Sequence, residues 1–168
     1  EIGKEHLLTS EQEVEISKRI EAAENEVKRI IYSFGFAGKE HIALAEKLIS
    51  EPPKERFDRV IIDKKIEGRD NHLKALRKLV KDVRAVDQLV DDKYAELQNA
   101  PNKAKRDKNL TEFKRLDEKL QKTFAKFFYK QKVIEEMALV ADNIHDKIQL
   151  SLRIIQELEE QRKSAQQQ

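Results

Sequence analysis

Histidines are the side chains in this sequence best suited to acid–base or metal chemistry. They are scattered along the 168 residues, at His6, His41, His72 and His145. A di-iron carboxylate site in a helical bundle needs two Glu-x-x-His motifs and two further glutamates that point inward. The nearest pattern is a single Asp142-x-x-His145, with no second copy in the sequence. We therefore expect no metal site.

The sequence also gives no support for a catalytic nucleophile or a phosphate-binding loop. The chain has no cysteine, which excludes thiol nucleophiles, thiolate metal ligands and disulfides. Its glycines, at positions 3, 35, 38 and 68, do not group into a phosphate-binding loop. We interpret the chain as a non-enzyme that has no catalytic residue and needs no cofactor.

Charge is the next candidate for function, because its distribution is uneven. The whole chain carries 34 basic and 32 acidic side chains, yet residues 103–132 hold eleven basic and only four acidic ones. Such a segment can face an anionic partner, although a lysine-rich helix is more often a solvated face. The candidate partner-binding residues are Lys114, Arg115, Lys119, Lys122, Lys126 and Lys130.

Aromatic residues lie among these bases, as Phe124, Phe127, Phe128 and Tyr129. Aromatic rings between basic side chains can stack on nucleotides. At helical spacing, however, the three phenylalanines share one packing face with lysines at its edges. The spacing therefore favours a hydrophobic core over a nucleotide site.

Composition predicts the elements that position these residues. Charged and hydrophobic residues each make up 39% of the chain, and glycine and proline are scarce, which is typical of long helices. We predict an all-α fold: a helical bundle of long antiparallel helices with a short helix and a connector. No apolar run approaches the roughly 20 residues of a membrane span, so no membrane partner is expected.

The N-terminal half of the chain predicts two helices and a connector. The first helix begins at a capping box, with Thr9 and Gln12 or with Ser10 and Glu13, and ends at Gly35. A short helix follows over about 39–50. The segment 54–65 is predicted to be a packed connector. The predicted apolar stripe of the first helix is Val14, Ile20, Ala23, Val27, Ile30, Ile31 and Phe34.

The C-terminal half predicts long helices with apolar seams. Over 69–100 the seam runs from Leu73 to Leu97, and only Asp87 interrupts it, so we expect the seam to turn outward there rather than bury a carboxylate. Beyond Pro101, a second row is apolar at every seventh residue from Phe113 to Ile155. Its companion row breaks in the middle, which predicts two helices or one bent helix, with the break near 129–133.

The first twenty residues carry a more specific pattern. Ile2-Gly3, Leu7-Leu8-Thr9, Glu13-Val14-Glu15 and Ser17-Lys18-Arg19-Ile20-Glu21 follow one another at fixed spacing. In order and spacing this segment closely resembles region 1.2 of the primary (housekeeping) sigma factor of bacterial RNA polymerase. The resemblance divides the chain into a region 1.2-like helix at 1–34 and a non-conserved-region-like helical insertion at 35–168, together one compact helical domain.

The resemblance implies a role in transcription initiation. A primary sigma factor binds core RNA polymerase in the bacterial cytoplasm and directs it to promoter DNA. The segments that read the −10 and −35 elements do not occur in these 168 residues, which begin at Glu1, so we expect a fragment that is a helical interaction platform. Lys4 and His6 lie nearest the DNA-facing end of the family pattern. A transcription regulator is a further possible partner of the insertion, and the fragment is expected to be a monomer.

Two other functions stay open at this point. The chain is alternatively a coiled-coil structural or chaperone-like adaptor, which would dimerise through 73–97 or 113–155. The third function that stays open is direct nucleic-acid binding, whose affinity would fall steeply with added salt.

Overall fold

The computed structural model describes the backbone of residues 9–166, and the side chains in that range except those of residues 144, 148, 159 and 161–166. The predicted all-α fold is confirmed, with six α-helices and no strand in the described range. The helices are α1 (Ser10–Tyr32), α2 (Ala37–Ile49), α3 (Phe57–Val60), α4 (Arg69–Gln98), α5 (Lys103–Phe124) and α6 (Gln131–Gln166). None of these described helices is long and apolar enough to cross a membrane.

Two long helices begin at side-chain caps. The Thr9 hydroxyl accepts a hydrogen bond from the Gln12 backbone N–H (3.1 Å), and the Gln12 side chain accepts one from the Thr9 N–H (3.0 Å), which confirms the first of the two predicted capping boxes. The Asn102 side chain accepts a hydrogen bond from the Lys105 N–H (2.8 Å) at the start of α5. Each cap satisfies amides that the first helical turn leaves unpaired.

The hydrophobic core lies between α2, α4 and α5. A short turn after α4 reverses the chain, so α4 and α5 run antiparallel and contact each other at Tyr94 and Phe113. The predicted seam of α4 is buried at Leu76, Val80, Val83 and Val90. The connector packs against this core as predicted, with buried side chains at Phe57, Val60 and Ile61.

The predicted break between the last two helices is confirmed, and it begins a few residues earlier than expected. A 3₁₀ turn at Ala125–Phe127 follows α5, and Phe128 adopts a left-handed conformation with φ of 55°. The connector fixes this reversal through two backbone hydrogen bonds, from Ile62 N–H to Phe128 O (3.0 Å) and from Lys130 N–H to Val60 O (2.8 Å). Long-range pairing of this kind leaves no periodic signal in the sequence.

The prediction that the α4 seam turns outward at Asp87 is wrong. Asp87 is buried, with 7% of the residue exposed, and lies against α2. Gly38 makes room for it, since a Cβ at that position would stand 2.8 Å from Asp87 Oδ1. The Lys39 ammonium lies 3.2 Å from Asp87 Oδ2 and 2.9 Å from Asp91 Oδ2. A glycine and a lysine on the facing helix together accommodate the buried carboxylate.

Two segments project from this packed region. In residues 10–26 of α1 and 142–158 of α6, every described side chain is exposed. We call these segments the α1 arm and the α6 arm, and we call the packed part from α2 to the first turns of α6 the head. Of the predicted apolar stripe of α1, Ile31 is the only buried member.

The two helices that carry the arms meet where they leave the head. The Gln131 side-chain amide at the start of α6 donates a hydrogen bond to the Glu24 carbonyl of α1 (3.3 Å). The chain thus enters the head through α1 and leaves it through α6 at neighbouring points.

Candidate functional site

His41 is part of the core and does not form an acid–base site. Its ring stacks on Phe124 and Tyr129, with centroids 4.3 Å and 5.2 Å away. Nδ1 lies 2.7 Å from the Ala37 carbonyl oxygen, while Nε2 is buried without a hydrogen-bond partner. Burial lowers the pKa of His41 to about 4, because the apolar surroundings disfavour the charged imidazolium. The ring is therefore neutral at physiological pH.

The other described histidines do not assemble a site either. His72 Nε2 lies 3.0 Å from the Phe127 carbonyl oxygen, and burial lowers the pKa of this histidine as well. Asp142 and His145 are both exposed on the α6 arm. Within the described part of the chain, no group of three or more histidine, cysteine, aspartate or glutamate side chains is placed to hold a metal ion.

The aromatic residues form core, as their spacing predicted. Phe124, Phe127 and Tyr129 are buried, and the Tyr129 hydroxyl donates a hydrogen bond to the His41 carbonyl oxygen (2.6 Å). Phe128 is half-buried, and the ammonium groups of Lys64 and Lys65 lie 5.2 Å and 4.3 Å from its ring centroid. The buried rings present no open face on which a nucleotide base could stack.

The predicted partner-binding lysines and arginine fall into two groups. Those at the surface are Lys114, Arg115, Lys119 and Lys122 on α5 and Lys126 in the following 3₁₀ turn. Lys130 is half-buried instead, and its ammonium donates a hydrogen bond to the Asp58 carbonyl oxygen (2.6 Å) and lies 3.4 Å from Asp63 Oδ1. Lys130 therefore ties α6 to the connector, whereas the other five face solvent.

Four basic residues share one face of α5. Arg115, Lys119 and Lys122 follow one another at steps of four and three residues, and Lys108 precedes Arg115 by seven, which are the spacings of one helix face. We call this set the basic face. Among the described residues, no carboxylate lies within ion-pair distance of its members. Lys93 on α4 differs, because its ammonium lies 2.7 Å from Glu112 and 2.9 Å from Glu96.

The basic face continues into a cleft between α5 and α1. The cleft has a volume of about 400 Å³ and is lined by Asn25, Lys28, Arg29, Tyr32, Glu118, Gln121 and Lys122. Arg29 is held by Glu26 (2.6 Å), so Lys28 and Lys122 are the cations in the cleft without a close carboxylate partner. The α1 side of this surface has no signal in the sequence, since periodicity does not reveal which helices pack side by side. Lys108 could have been added to the candidate residues from the sequence, because it precedes Arg115 by seven residues and so lies on the same helix face.

The α1 arm presents a second, apolar surface. Val14, Ile16 and Ile20 are 52%, 40% and 54% exposed. Burying such side chains against a partner contributes roughly 1.5–3 kcal/mol each, so a run of them on one helix is a typical contact surface.

Comparison with known families identifies this same segment. The family model for sigma-70 factor, region 1.2, matches residues 1–26. No solved structure matches the chain. The match includes the whole α1 arm and supports a sigma-70 family fragment related to transcription initiation. Lys4 and His6, the predicted DNA-contacting residues, belong to the matched segment but lie outside the described residues.

Proposed function

We propose that this chain is part of a primary sigma factor, in which it acts as a helical interaction platform for core RNA polymerase. The observation that carries the proposal is the match of residues 1–26 to sigma-70 region 1.2. In this proposal the α1 arm belongs to the segment shared with the family, and the head is the non-conserved helical insertion that follows it. The role is one of binding, without covalent catalysis by the chain itself.

The exposure of the α1 arm supports this assignment. The α1 arm carries the residues that match the family and leaves its valine and isoleucines exposed to solvent. Exposed apolar side chains of this kind are typical of a surface that packs against a partner. The head does not cover these side chains, because its core closes on Ile31 near the end of α1. The head therefore holds the α1 arm without occupying its apolar surface.

The remaining parts of the proposal concern the whole sigma factor. It is bacterial and cytoplasmic, and it directs polymerase to promoter DNA, with Lys4 and His6 as candidate contacts to that DNA. Recognition of the −10 and −35 elements is not assigned to these 168 residues. The exposed bases of α5 are the candidate surface for an anionic partner, and a transcription regulator is a further possible partner of the head. The chain by itself is proposed to be a monomer.

The proposal is tested by titrating the fluorescently labelled chain with bacterial core RNA polymerase and following fluorescence anisotropy. We expect saturable binding by the wild-type chain. The double variant Val14→Asp and Ile20→Asp removes two apolar side chains from the α1 arm. It should bind polymerase about tenfold or more weakly, because both side chains would be buried in the contact with polymerase. Both positions are exposed, so the head should remain folded, as circular dichroism and thermal unfolding would verify.

A matched control carries the same chemical change on the other arm. The double variant Leu150→Asp and Ile154→Asp also replaces two exposed aliphatic side chains by carboxylates. This control should bind polymerase like the wild type. Absence of wild-type binding, or equal loss in both double variants, would contradict the proposed role of the α1 arm.

The α6 arm favours one second candidate, a coiled-coil adaptor. Its exposed apolar side chains are Leu150, Leu152, Ile154, Ile155 and Leu158. The other predicted dimer seam, over 73–97, is largely buried inside the head at Leu76, Val80, Val83 and Val90. Of the two predicted seams, the α6 end of 113–155 is therefore the part that the described structure leaves exposed. Light scattering separates the two functions: a mass near 19.7 kDa supports the monomeric platform, and a stable dimer supports the adaptor.

A further inference from the structure

We propose that the basic face of α5, extended by the α1–α5 cleft, binds the phosphate backbone of double-stranded nucleic acid without reading its sequence. This inference rests on the proposed role of the head as an interaction platform, and it names the anionic partner that the exposed bases would take. Three features of the surface support it: the balance of charge, the length of the row and the polar character of the exposed α5 side chains.

The balance of basic and acidic side chains differs between α5 and its neighbour α4. Helix α5 carries eight basic and four acidic side chains, whereas α4 carries seven basic and six acidic ones. One of the acids on α5, Glu112, is occupied by the Lys93 ammonium at 2.7 Å, and Lys93 holds the pKa of that carboxyl below its ordinary range. The basic face therefore keeps its positive charge, and such an excess on one helix attracts polyanions.

The length of the row suits a duplex backbone. From Lys108 to Lys122 is fourteen residues, or about 21 Å along the axis at roughly 1.5 Å per residue. One turn of a B-form duplex covers about 34 Å, so the row spans well over half a turn. The cleft adds Lys28 beside Lys122 and side-chain donors from Asn25 and Tyr32, and the Glu118 carboxylate also belongs to its lining. The Gln121 amide in the same lining donates to Asp117 Oδ2 (2.8 Å). Ammonium, amide and hydroxyl groups are the donors that proteins direct at phosphate oxygens.

The composition of the exposed surface favours nucleic acid over a protein partner. Every exposed side chain of α5 except Ala104 is polar or charged. Protein–protein interfaces need a desolvated apolar or aromatic centre, which the exposed side chains of α5 do not offer. Single strands are held largely by bases that stack on accessible aromatic rings. A duplex is favoured here because the rings of Phe124 and Phe127 are buried, and the half-buried Tyr32 ring packs edge-on against His41 and Phe124.

The test uses the complete chain and a fluorescein-labelled DNA duplex of mixed sequence, with anisotropy measured between about 50 and 200 mM salt. We expect binding that weakens steeply with salt and changes little when the duplex sequence is scrambled. The triple variant Arg115→Gln, Lys119→Gln and Lys122→Gln should bind at least about tenfold more weakly at the lowest salt. It should also reduce the slope of log affinity against log salt by about two to three, because each lost phosphate contact removes about 0.9.

The chain offers a closely matched control on α4. Lys74, Lys78 and Lys81 are exposed and have the same four- and three-residue steps as Arg115, Lys119 and Lys122. Replacing all three by glutamine changes the net charge by the same amount. Asp70 and Asp82 lie four residues from Lys74 and Lys78, much as Glu112 and Glu118 lie four residues from Lys108 and Lys122 on α5. The control triple should retain duplex affinity within about threefold of the wild type, since the duplex does not contact this face.

Several results would overturn the inference. They are no duplex binding by the wild-type chain, equal weakening by both triple variants, or a clear preference for single-stranded over duplex DNA. If the α5 triple variant lost polymerase binding while duplex binding was unchanged, the partner of the basic face would be an acidic protein surface. Failure of duplex binding together with normal polymerase binding would leave the proposed function intact, so the two proposals can be told apart.

Discussion

Ile134 and Ile155 occupy the same heptad row of the same helix, yet their surroundings differ completely. Ile134 lies in the head and is 2% exposed, whereas Ile155 lies in the α6 arm and is 51% exposed. The seven-residue step that defines the row is the same at both ends. A periodic apolar row therefore predicts a helix and its apolar face, while burial depends on whether another element is there to cover that face.

The same contrast holds for the head and the two arms as a whole. In the head, α2, the connector and the turn after α5 cover the seams of α4 and α5. In the arms, the apolar side chains have no such cover in the described structure. Packing in the head thus supplies the stability of the fold, and the arms supply surface for contacts.

The largest expected effect comes from shortening the two isoleucines of α6. Ile134→Ala should lower the free energy of unfolding by about 2–5 kcal/mol, because it leaves a cavity in the core of the head. Ile155→Ala should change it by less than about 0.5 kcal/mol, since the side chain is already half in solvent. Urea denaturation followed by circular dichroism measures both values. Equal losses would show that the α6 arm is packed in solution, which would remove the contrast between the two regions.

The next effect concerns pH and the buried imidazole of the head. The pKa of His41 is about 4 in the folded chain and about 6.5 when unfolded, so acid protonates the unfolded chain first. Stability should be complete above about pH 6.5 and fall as the pH drops towards 4, by roughly 3 kcal/mol at most. Burial of His72 lowers its pKa and acts in the same direction.

A variant isolates the part of this pH dependence that belongs to His41. His41→Phe keeps an aromatic ring in the stack and removes the titrating nitrogen, so its loss of stability between pH 7 and 4 should be smaller than that of the wild type. His145→Phe on the exposed α6 arm is the matched control and should keep the wild-type loss. Thermal unfolding across this pH range provides the measurement. If His41→Phe lost as much stability in acid as the wild type, burial of the neutral imidazole would not be the cause.

The smallest effect compares two helix caps of similar chemistry. Asn102→Ala removes the cap of α5 in the head and should lower global stability by about 1 kcal/mol. Thr9→Ala removes the cap of α1 at the end of its arm. It should fray the first turns of α1, seen as faster amide hydrogen exchange near residues 10–13, with little change in the global unfolding midpoint. A large global loss in Thr9→Ala would mean that the α1 arm folds cooperatively with the head.

Local interactions in this chain could be predicted from the sequence. The capping box of Thr9, the α4 seam and the buried residues of the connector depend on neighbouring residues and on periodicity. The burial of Asp87 could not be predicted, because it requires Gly38 and Lys39 from a helix almost fifty residues away. The exposure of most of the α1 stripe could not be predicted for a related reason, since periodicity does not count the partners available to each helix.

The candidate site could likewise be predicted only where it depends on local sequence. The basic residues of α5 were visible as a local excess of charge, and the resemblance of the first twenty residues to sigma-70 region 1.2 agrees with the family match. The contribution of Lys28 and the loss of Lys130 to the connector depend on tertiary contacts. Only the folded chain brings the α1 side of the cleft to α5 or places Asp58 beside Lys130.

The hydrogen bond between Gln131 and Glu24 has a consequence for how the length of this chain can change during evolution. Because α1 and α6 meet where the chain enters and leaves the head, the segment between them begins and ends at neighbouring points. Domains whose termini lie close together tolerate insertions, because the separation of their ends is unchanged. Changes of length in the exposed turns of the head should therefore leave the junction of α1 and α6 in place.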